Sequence, residues 1–273
     1  MPVAPREKWD SVEQYLEYLR HLAAYKLFAK DFIDLNNKFI LEIGCGTGYG
    51  ADYLSKFASN FVAIDISKVN ISCCQTNYPK ENLIFMVADA TKLPFKDDQF
   101  DVVISFQVIE HIEPVLTYLS EIKRVLKAGG IFVCSTPNKK LRLLPFQKPW
   151  NPEHKKEFSS KEFKKLLSKR FENVKVYGLS ASEEVLSIER ARVKQDPLII
   201  YFIGPLFHLM NVVLPTSILV RLKEMGRRFI SSSRSQNSIQ QEDFLTEFSL
   251  DDFKIDSSCR DCLDLLGVSK KLP

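Results

Sequence analysis

A chain of 273 residues, 45% hydrophobic and 26% charged, can bury one substantial core with an elaboration and lacks the composition of a disordered protein. Its formal net charge of +4 suits an anionic substrate or a membrane surface but is too weak to argue for nucleic acid. Residues 1–9 are polar and mixed in charge, so no signal peptide is expected. The six cysteines outline no disulfide framework, which fits a reducing cytoplasm, and the lone Cys259/Cys262 pair has no second pair or nearby His, so no metal site is expected.

Residues 11 to about 30 read as an amphipathic helix, with Val12, Tyr15, Leu16, Leu19, Leu22, Ala23 and Leu27 at helical spacing and Ser11 with Gln14 as a capping box. Short apolar runs then alternate with helices. Strands are expected at 39–43, 61–64, 83–87, 100–105 and 131–135, the first followed by a glycine loop and a helix carrying Ala51, Leu54 and Phe57. Near-continuous apolar strands separated by helices imply a parallel sheet covered on both faces. The helix before the fifth strand has Pro114 in its first turn and is expected to bury Leu116, Leu119, Ile122 and Leu126. Another opens at Ser159 with Glu162 as its capping-box partner and with Phe158 and Phe163 placed for a hydrophobic staple. Strands at 174–177 and 262–268 complete a seven-stranded sheet.

Four segments follow from this reading: an N-terminal helical segment at 1–36, a core at 37–180, a helical insertion at 181–258 and a returning strand at 259–273. Within the insertion, residues 198–220 are strongly apolar and Arg221, Lys223, Arg227 and Arg228 follow at once. That stretch is nearly long enough to span a bilayer, but Gly204, Pro205, His208, Asn211 and Pro215 interrupt it. A strand must also return to the sheet afterwards. A substrate lid or a peripheral membrane contact through 198–228 is therefore expected, with the basic residues facing anionic lipid. Residues 231–241 are rich in Ser and Gln and read as a flexible loop.

The glycines at 44, 46 and 48 let the backbone turn sharply and approach a ligand without interference from Cβ atoms. A P-loop would need Lys-Ser/Thr after its last glycine, where Tyr49-Gly50 stands, and a dinucleotide fingerprint would place its third glycine one residue later. Asp65 ends the second strand, where a carboxylate can accept hydrogen bonds from two ribose hydroxyls, and Asp89 follows the third, where it can accept from an adenine amino group. The bland alternative for each is a helix cap. Glu42 adds negative charge beside the loop. An acidic site without a phosphate-binding lysine suits a cationic nucleoside, and S-adenosylmethionine (SAM) carries a sulfonium and an ammonium.

The motif Leu41-Glu42-Ile43-Gly44-Cys45-Gly46-Thr47-Gly48-Tyr49-Gly50 resembles the first motif of class I SAM-dependent methyltransferases. The second strand with Asp65, the run Asp89-Ala90-Thr91-Lys92-Leu93-Pro94-Phe95, the segment Val108-Ile109-Glu110-His111-Ile112 and the turn at Gly129-Gly130 resemble its later motifs. The likeness is dense over residues 38–138. It extends to the leading helix and to Asn151-Pro152-Glu153-His154, features similar to a subgroup associated with polysaccharide, glycolipid and small-molecule methylation, although Ala24 stands where a larger basic residue is expected.

The resemblance implies a Rossmann-like α/β fold with strand order 3-2-1-4-5-7-6, the last strand antiparallel. It implies SAM as cofactor, held by Glu42, Gly44, Cys45, Gly46, Gly48, Asp65, Ile66, Asp89, Ala90, Ser105 and Gln107. Methyl transfer needs alignment, exclusion of water and, for a hydroxyl acceptor, a proton acceptor. His111 and His154 are the catalytic candidates, with a structural role the alternative for each, and Glu110, Trp150 and Glu157 are expected to meet substrate. Lys139, Lys140, Arg142 and Lys148 form either a solvated loop or a site for an anionic group. His208 reads as buried or interfacial, and His21 as lying on the leading helix. The expected acceptor is a small molecule, a sugar or a lipid-linked glycan, methylated at oxygen, with no nucleic-acid partner. The rivals are an RNA or protein methyltransferase and a SAM-binding regulatory protein without catalysis.

Overall fold

The computed structural model describes residues 9, 11–143, 149, 151–193, 247–259 and 261–272. Trp150, Lys148, His208, the apolar-basic stretch 198–228 and the Ser/Gln-rich stretch lie outside them.

Helix α1 (Val12–Asp31) starts at Ser11, whose hydroxyl accepts from the Gln14 amide at 3.4 Å. Then come β1 (Phe39–Ile43), α2 (Tyr49–Ser55), β2 (Asn60–Asp65), α3 (Lys68–Asn77), β3 (Leu83–Val87), β4 (Phe100–Phe106), α4 (Val115–Val125), β5 (Leu126–Pro137), α5 (Lys139–Arg142), α6 (Ser160–Leu167), β6 (Glu172–Ala181), α7 (Glu183–Val193), β7 (Phe253–Asp256) and β8 (Asp264–Lys270). The sheet order is β3-β2-β1-β4-β5-β8-β6-β7. The first five strands in that row pair in parallel, and β8 runs antiparallel to both of its neighbours, β5 and β6.

Alternate residues of each central strand feed opposite cores, which is why these strands are apolar throughout. Ile40, Phe61, Ala63, Val102 and Ile104 pack with α1, α2, α3 and α7, and Leu41, Val62, Ile64 and Val103 with α4 and α6. The result is three layers, with helices on both faces of the sheet.

The expected strand order is present, with one strand added. Residues 253–256, assigned by sequence to the helical insertion, form the edge strand β7 against β6. Strands β5 and β6 are longer than their apolar centres, and the final strand starts at Asp264 rather than Cys262. In α4 the buried positions are Tyr118, Leu119, Ile122 and Val125; Leu116 is half-buried and Leu126 already belongs to β5. Phe57 lies beyond α2 and is 44% exposed. The capping box at Ser159 and Glu162 forms in full, and the Phe158 and Phe163 rings stand 6.1 Å apart as its staple.

One charged residue sits in the apolar stripe of α1. Arg20 is buried, with Nε 3.2 Å from Asp264 on β8 and a second nitrogen 3.9 Å from Glu189 on α7. These two acids hold the guanidinium ionised against burial, so one side chain joins the first helix to the last strand.

Candidate functional site

The carboxyl ends of β1, β2 and β4 and the turn after β3 open into one cleft of about 600 Å³, within the usual range for a small-molecule site. Gly44, Ile64, Asp65, Ile66, Asn70, Ala88, Asp89 and Ala90 line one part of it. Gln107, Glu110, His111, Pro137, Arg142, Asn151, Glu153 and His154 line another, and Glu17, Arg20 and His21 of α1 also contribute. Crevices at the carboxyl edge of an open parallel sheet are where such folds bind ligands.

The glycine loop is built by backbone constraint. Gly44, Gly46 and Gly48 have φ of 74°, 54° and 82°, the left-handed region that favours glycine. A Cβ on Gly44 would overlap the Val108 side chain. The amides of Gly44 and Cys45 both donate to the Ile64 carbonyl, at 2.8 and 3.0 Å. Asp65 secures the rest: one carboxylate oxygen accepts from the Gly46 amide at 2.9 Å and the other from the Ser67 amide at 2.8 Å. An ionised carboxylate has about four acceptor positions, so both oxygens retain capacity for an outside donor.

Asp89 accepts from the amide and hydroxyl of Thr91 at 2.7 and 2.8 Å, bonds that hold its carboxyl below the ordinary range. Ile66 faces the cleft while 75% exposed, an apolar surface with little protein cover.

Glu42, Cys45 and Ser105 are buried behind this surface. The Ser105 hydroxyl donates to the Ile43 carbonyl at 3.2 Å, and Cys45 neighbours Cys74, both as free thiols. Glu42 accepts from the Tyr25 hydroxyl at 2.6 Å, and its second oxygen has no hydrogen-bond partner in the described structure. Burial, aided by Asp65, outweighs the Tyr25 bond and raises the Glu42 carboxyl from its ordinary 4.5 to about 7.

A pH effect on stability follows. Between pH 4.5 and 7 the unfolded chain ionises Glu42 while the fold keeps it protonated, so this residue costs the native state stability as pH rises through that window. Glu42→Gln keeps an oxygen for Tyr25 and removes the penalty. Its melting temperature should match the parent near pH 4 and exceed it above pH 7 by several degrees, on the order of 3 kcal/mol. A difference independent of pH across that range in thermal scans would refute the assignment.

The opposite part of the cleft is rich in titratable groups. The rings of His111 and His154 meet edge to face with centroids 4.6 Å apart. His154 Nδ1 lies 2.8 Å from a carboxylate oxygen of buried Glu157, and His111 Nδ1 lies 3.3 Å from the Glu153 carbonyl. Burial, and then the neighbouring His154, lowers the His111 pKa. Glu110 is fully buried. It accepts from the Thr136 hydroxyl at 3.0 Å, and burial lifts its carboxyl to about 8. The amides of Lys155 and Lys156 donate to the Glu110 carbonyl at 2.7 and 3.2 Å, which binds the 151–158 loop to the end of β4.

Gln107 lines the cleft with φ of 55°, a strained backbone for a non-glycine residue, and its side-chain amide donates to the Ser135 hydroxyl at 3.3 Å. Arg142 lies 3.8 Å from Glu157, so the basic loop after β5 has one member turned toward the cleft. His21 also faces it, and burial followed by the adjacent Arg20 holds its imidazole neutral, with a pKa of about 3. Arg20 was not singled out by sequence. Its signal was legible: a charge four residues after Leu16 and three before Ala23, on the apolar face of α1.

Residues 41–134 match the profile of a family described as Methyltransferase domain. The probable S-adenosylmethionine-dependent methyltransferase of Mycolicibacterium smegmatis is 33% identical over 155 residues, 57% of this chain and 58% of that protein. The probable phthiotriol/phenolphthiotriol dimycocerosates methyltransferase 2 of Mycobacterium ulcerans is 38% identical over 101 residues, covering 36% of this chain and 39% of its own length. The chain thus spans little more than half the length of the first curated relatives it matches. The crystal structure of YcgJ from Bacillus subtilis superposes with a TM-score of 0.55 at 17% identity, covering 93% of this chain and 99% of the other, which is a likeness of fold.

Proposed function

We propose that this chain, whose residues 41–134 match a family described as Methyltransferase domain, is a class I SAM-dependent methyltransferase that transfers a methyl group from SAM to a hydroxyl of a small-molecule, sugar or lipid-linked acceptor. The observation that carries the reading is the single cleft with two chemically distinct parts, strand-end acids and a glycine turn in one, an imidazole-carboxylate cluster in the other.

The residues of the first part fit SAM. Gly44 allows close backbone approach, and both oxygens of Asp65 can accept from ribose hydroxyls. Ile66 and Ala90 offer apolar surface to the adenine ring, and Asp89 an acceptor to its amino group. The two arginines among the described residues of the cleft are paired with acids, Arg20 with Asp264 and Glu189 and Arg142 with Glu157, which lessens their repulsion of a cation. SAM brings a methyl group already activated by the sulfonium it leaves.

The protein must align the acceptor oxygen, exclude water and take one proton. Bound SAM would supply the electrophilic methyl carbon, and His154 Nε2 would accept the proton that the acceptor hydroxyl loses. Glu157, bonded to Nδ1, fixes the tautomer and stabilises the imidazolium. His111 and Glu110 shape the acceptor pocket beside it. The relative named for phthiotriol and phenolphthiotriol dimycocerosates supports the lipid-linked end of the acceptor range, as do the apolar run at 198–220 and the arginines and lysine that follow it. No helix among the described residues is long and apolar enough to cross a membrane, and the proposed contact is peripheral.

The test is to titrate the full chain with SAM by calorimetry and then incubate it with methyl-labelled SAM and fractionated extracts. One SAM per chain and label in a lipid or glycan fraction is the expected result. No SAM binding sinks the donor assignment, and label confined to RNA or protein overturns the acceptor class.

A further inference from the structure

Glu110, His111 and His154 place one donor atom each within 4.8 Å of one another, and all three line the cleft. We propose that they form a two-histidine, one-carboxylate site for a first-row transition-metal dication at the acceptor end.

Three features beyond proximity support a built site. First, both imidazoles have Nδ1 engaged, His154 by the Glu157 carboxylate at 2.8 Å and His111 by the Glu153 carbonyl at 3.3 Å. An acceptor on Nδ1 fixes the Nδ1–H tautomer and leaves the Nε2 lone pair for a cation, the arrangement in which metal-bound histidines are held. Second, Glu110 has one oxygen satisfied by Thr136, and the other is buried with no partner in the described structure. A fully buried carboxylate oxygen with no donor is costly, and a dication supplies the missing charge. Third, the Lys155 and Lys156 amides clamp the Glu110 carbonyl, so the segments bearing the three ligands are locked together before any ion arrives.

The donor set selects the metal. Two imidazoles with one carboxylate suit Fe²⁺, Co²⁺ or Zn²⁺, whereas Mg²⁺ and Ca²⁺ favour all-oxygen sites. Three protein ligands leave positions open for the acceptor hydroxyl, whose pKa falls on coordination. This role rests on the methyltransferase reading and refines it: with the ion bound, His154 is a ligand and the hydroxyl proton leaves to water. Binding of the ion itself does not depend on that reading.

The experiment uses the untagged full chain, stripped with chelator and titrated with Co²⁺ in the absence of acceptor, followed by visible absorption and by bound-metal analysis. One Co²⁺ per chain with a ligand-field band is expected. His111→Gln and His154→Gln should each weaken binding at least about 100-fold, and Glu157→Gln, which removes the carboxylate behind His154, about 10–100-fold. Cys73→Ser, at an exposed thiol, should leave it unchanged. Absence of binding at millimolar Co²⁺, or full affinity in either histidine variant, overturns the site. Glu157→Gln keeps the test decisive if a ligand variant misfolds, because unchanged affinity there also counts against it. SAM binding on the same samples separates the two readings: no metal with SAM bound sinks this inference alone, and metal without SAM sinks the methyltransferase reading alone.

Discussion

Asp65→Ala should lower SAM affinity by at least about 100-fold. Hydrogen bonds to a charged group contribute about 1.5–3 kcal/mol each, two are proposed to the ribose, and about 1.4 kcal/mol is a factor of ten. The same carboxylate holds the Gly46 and Ser67 amides, so part of the loss comes from a loosened glycine turn rather than from missing ligand contacts. Asp65→Asn separates the two, since it keeps one acceptor oxygen and loses the charge. It should fall between the parent and the Ala variant. Calorimetry with a parallel melting curve checks both, and an affinity for SAM within a few-fold of the parent in Asp65→Ala removes Asp65 from the donor site.

The second large effect belongs to His154. Its replacement by Ala should slow turnover on an identified acceptor by about 10²–10⁴-fold, the usual contribution of a positioned proton acceptor, and a loss is equally expected where His154 holds the proposed ion. SAM affinity should hardly change, because the proposed donor contacts follow β1, β2 and β3 on one side of the sheet, whereas His154 is in the loop after β5. His111→Ala should also slow turnover, less severely, because its ring supports His154 edge to face. Full activity in both variants would leave the proton without an acceptor in this cluster. A fall in SAM affinity equal to the fall in rate would make His154 a structural residue.

What could be read in the sequence was whatever local chemistry determines. Glycines at 44, 46 and 48 announce a left-handed turn because few other residues adopt it, and the apolar runs announce doubly buried strands because both faces of the sheet are covered. The Ser159–Glu162 box is a contact between near neighbours, and it formed as expected. Strand β7 was not legible. Its four residues, Phe253-Lys254-Ile255-Asp256, are too few to establish a period and owe their conformation to β6. The Leu116 assignment failed because the stripe of α4 runs through Tyr118 and Val125, and tyrosine carries an apolar ring beneath its hydroxyl.

The site divided in the same way. Asp65 and Asp89 were legible as acids at the ends of strands, and both line the cleft. The Tyr25–Glu42 bond, the Arg20 ion pairs and the approach of His111 to His154 join residues from separate elements, and only the fold brings them together.

The two parts of the cleft come from different stretches of chain. Gly44, Asp65 and Asp89 all fall within residues 41–134, whereas Arg20, Arg142, Asn151 and His154 all lie outside them. Only the turn after β4, with Glu110 and His111, belongs to both the matched stretch and the histidine cluster. Substitutions in the 151–158 loop can therefore alter the wall proposed to meet the acceptor while Gly44, Asp65 and Asp89 stay intact. A swap of that loop between related chains should change the proposed acceptor side and leave the proposed donor side untouched, whereas a swap of α1 would also disturb the Tyr25–Glu42 bond behind the glycine turn.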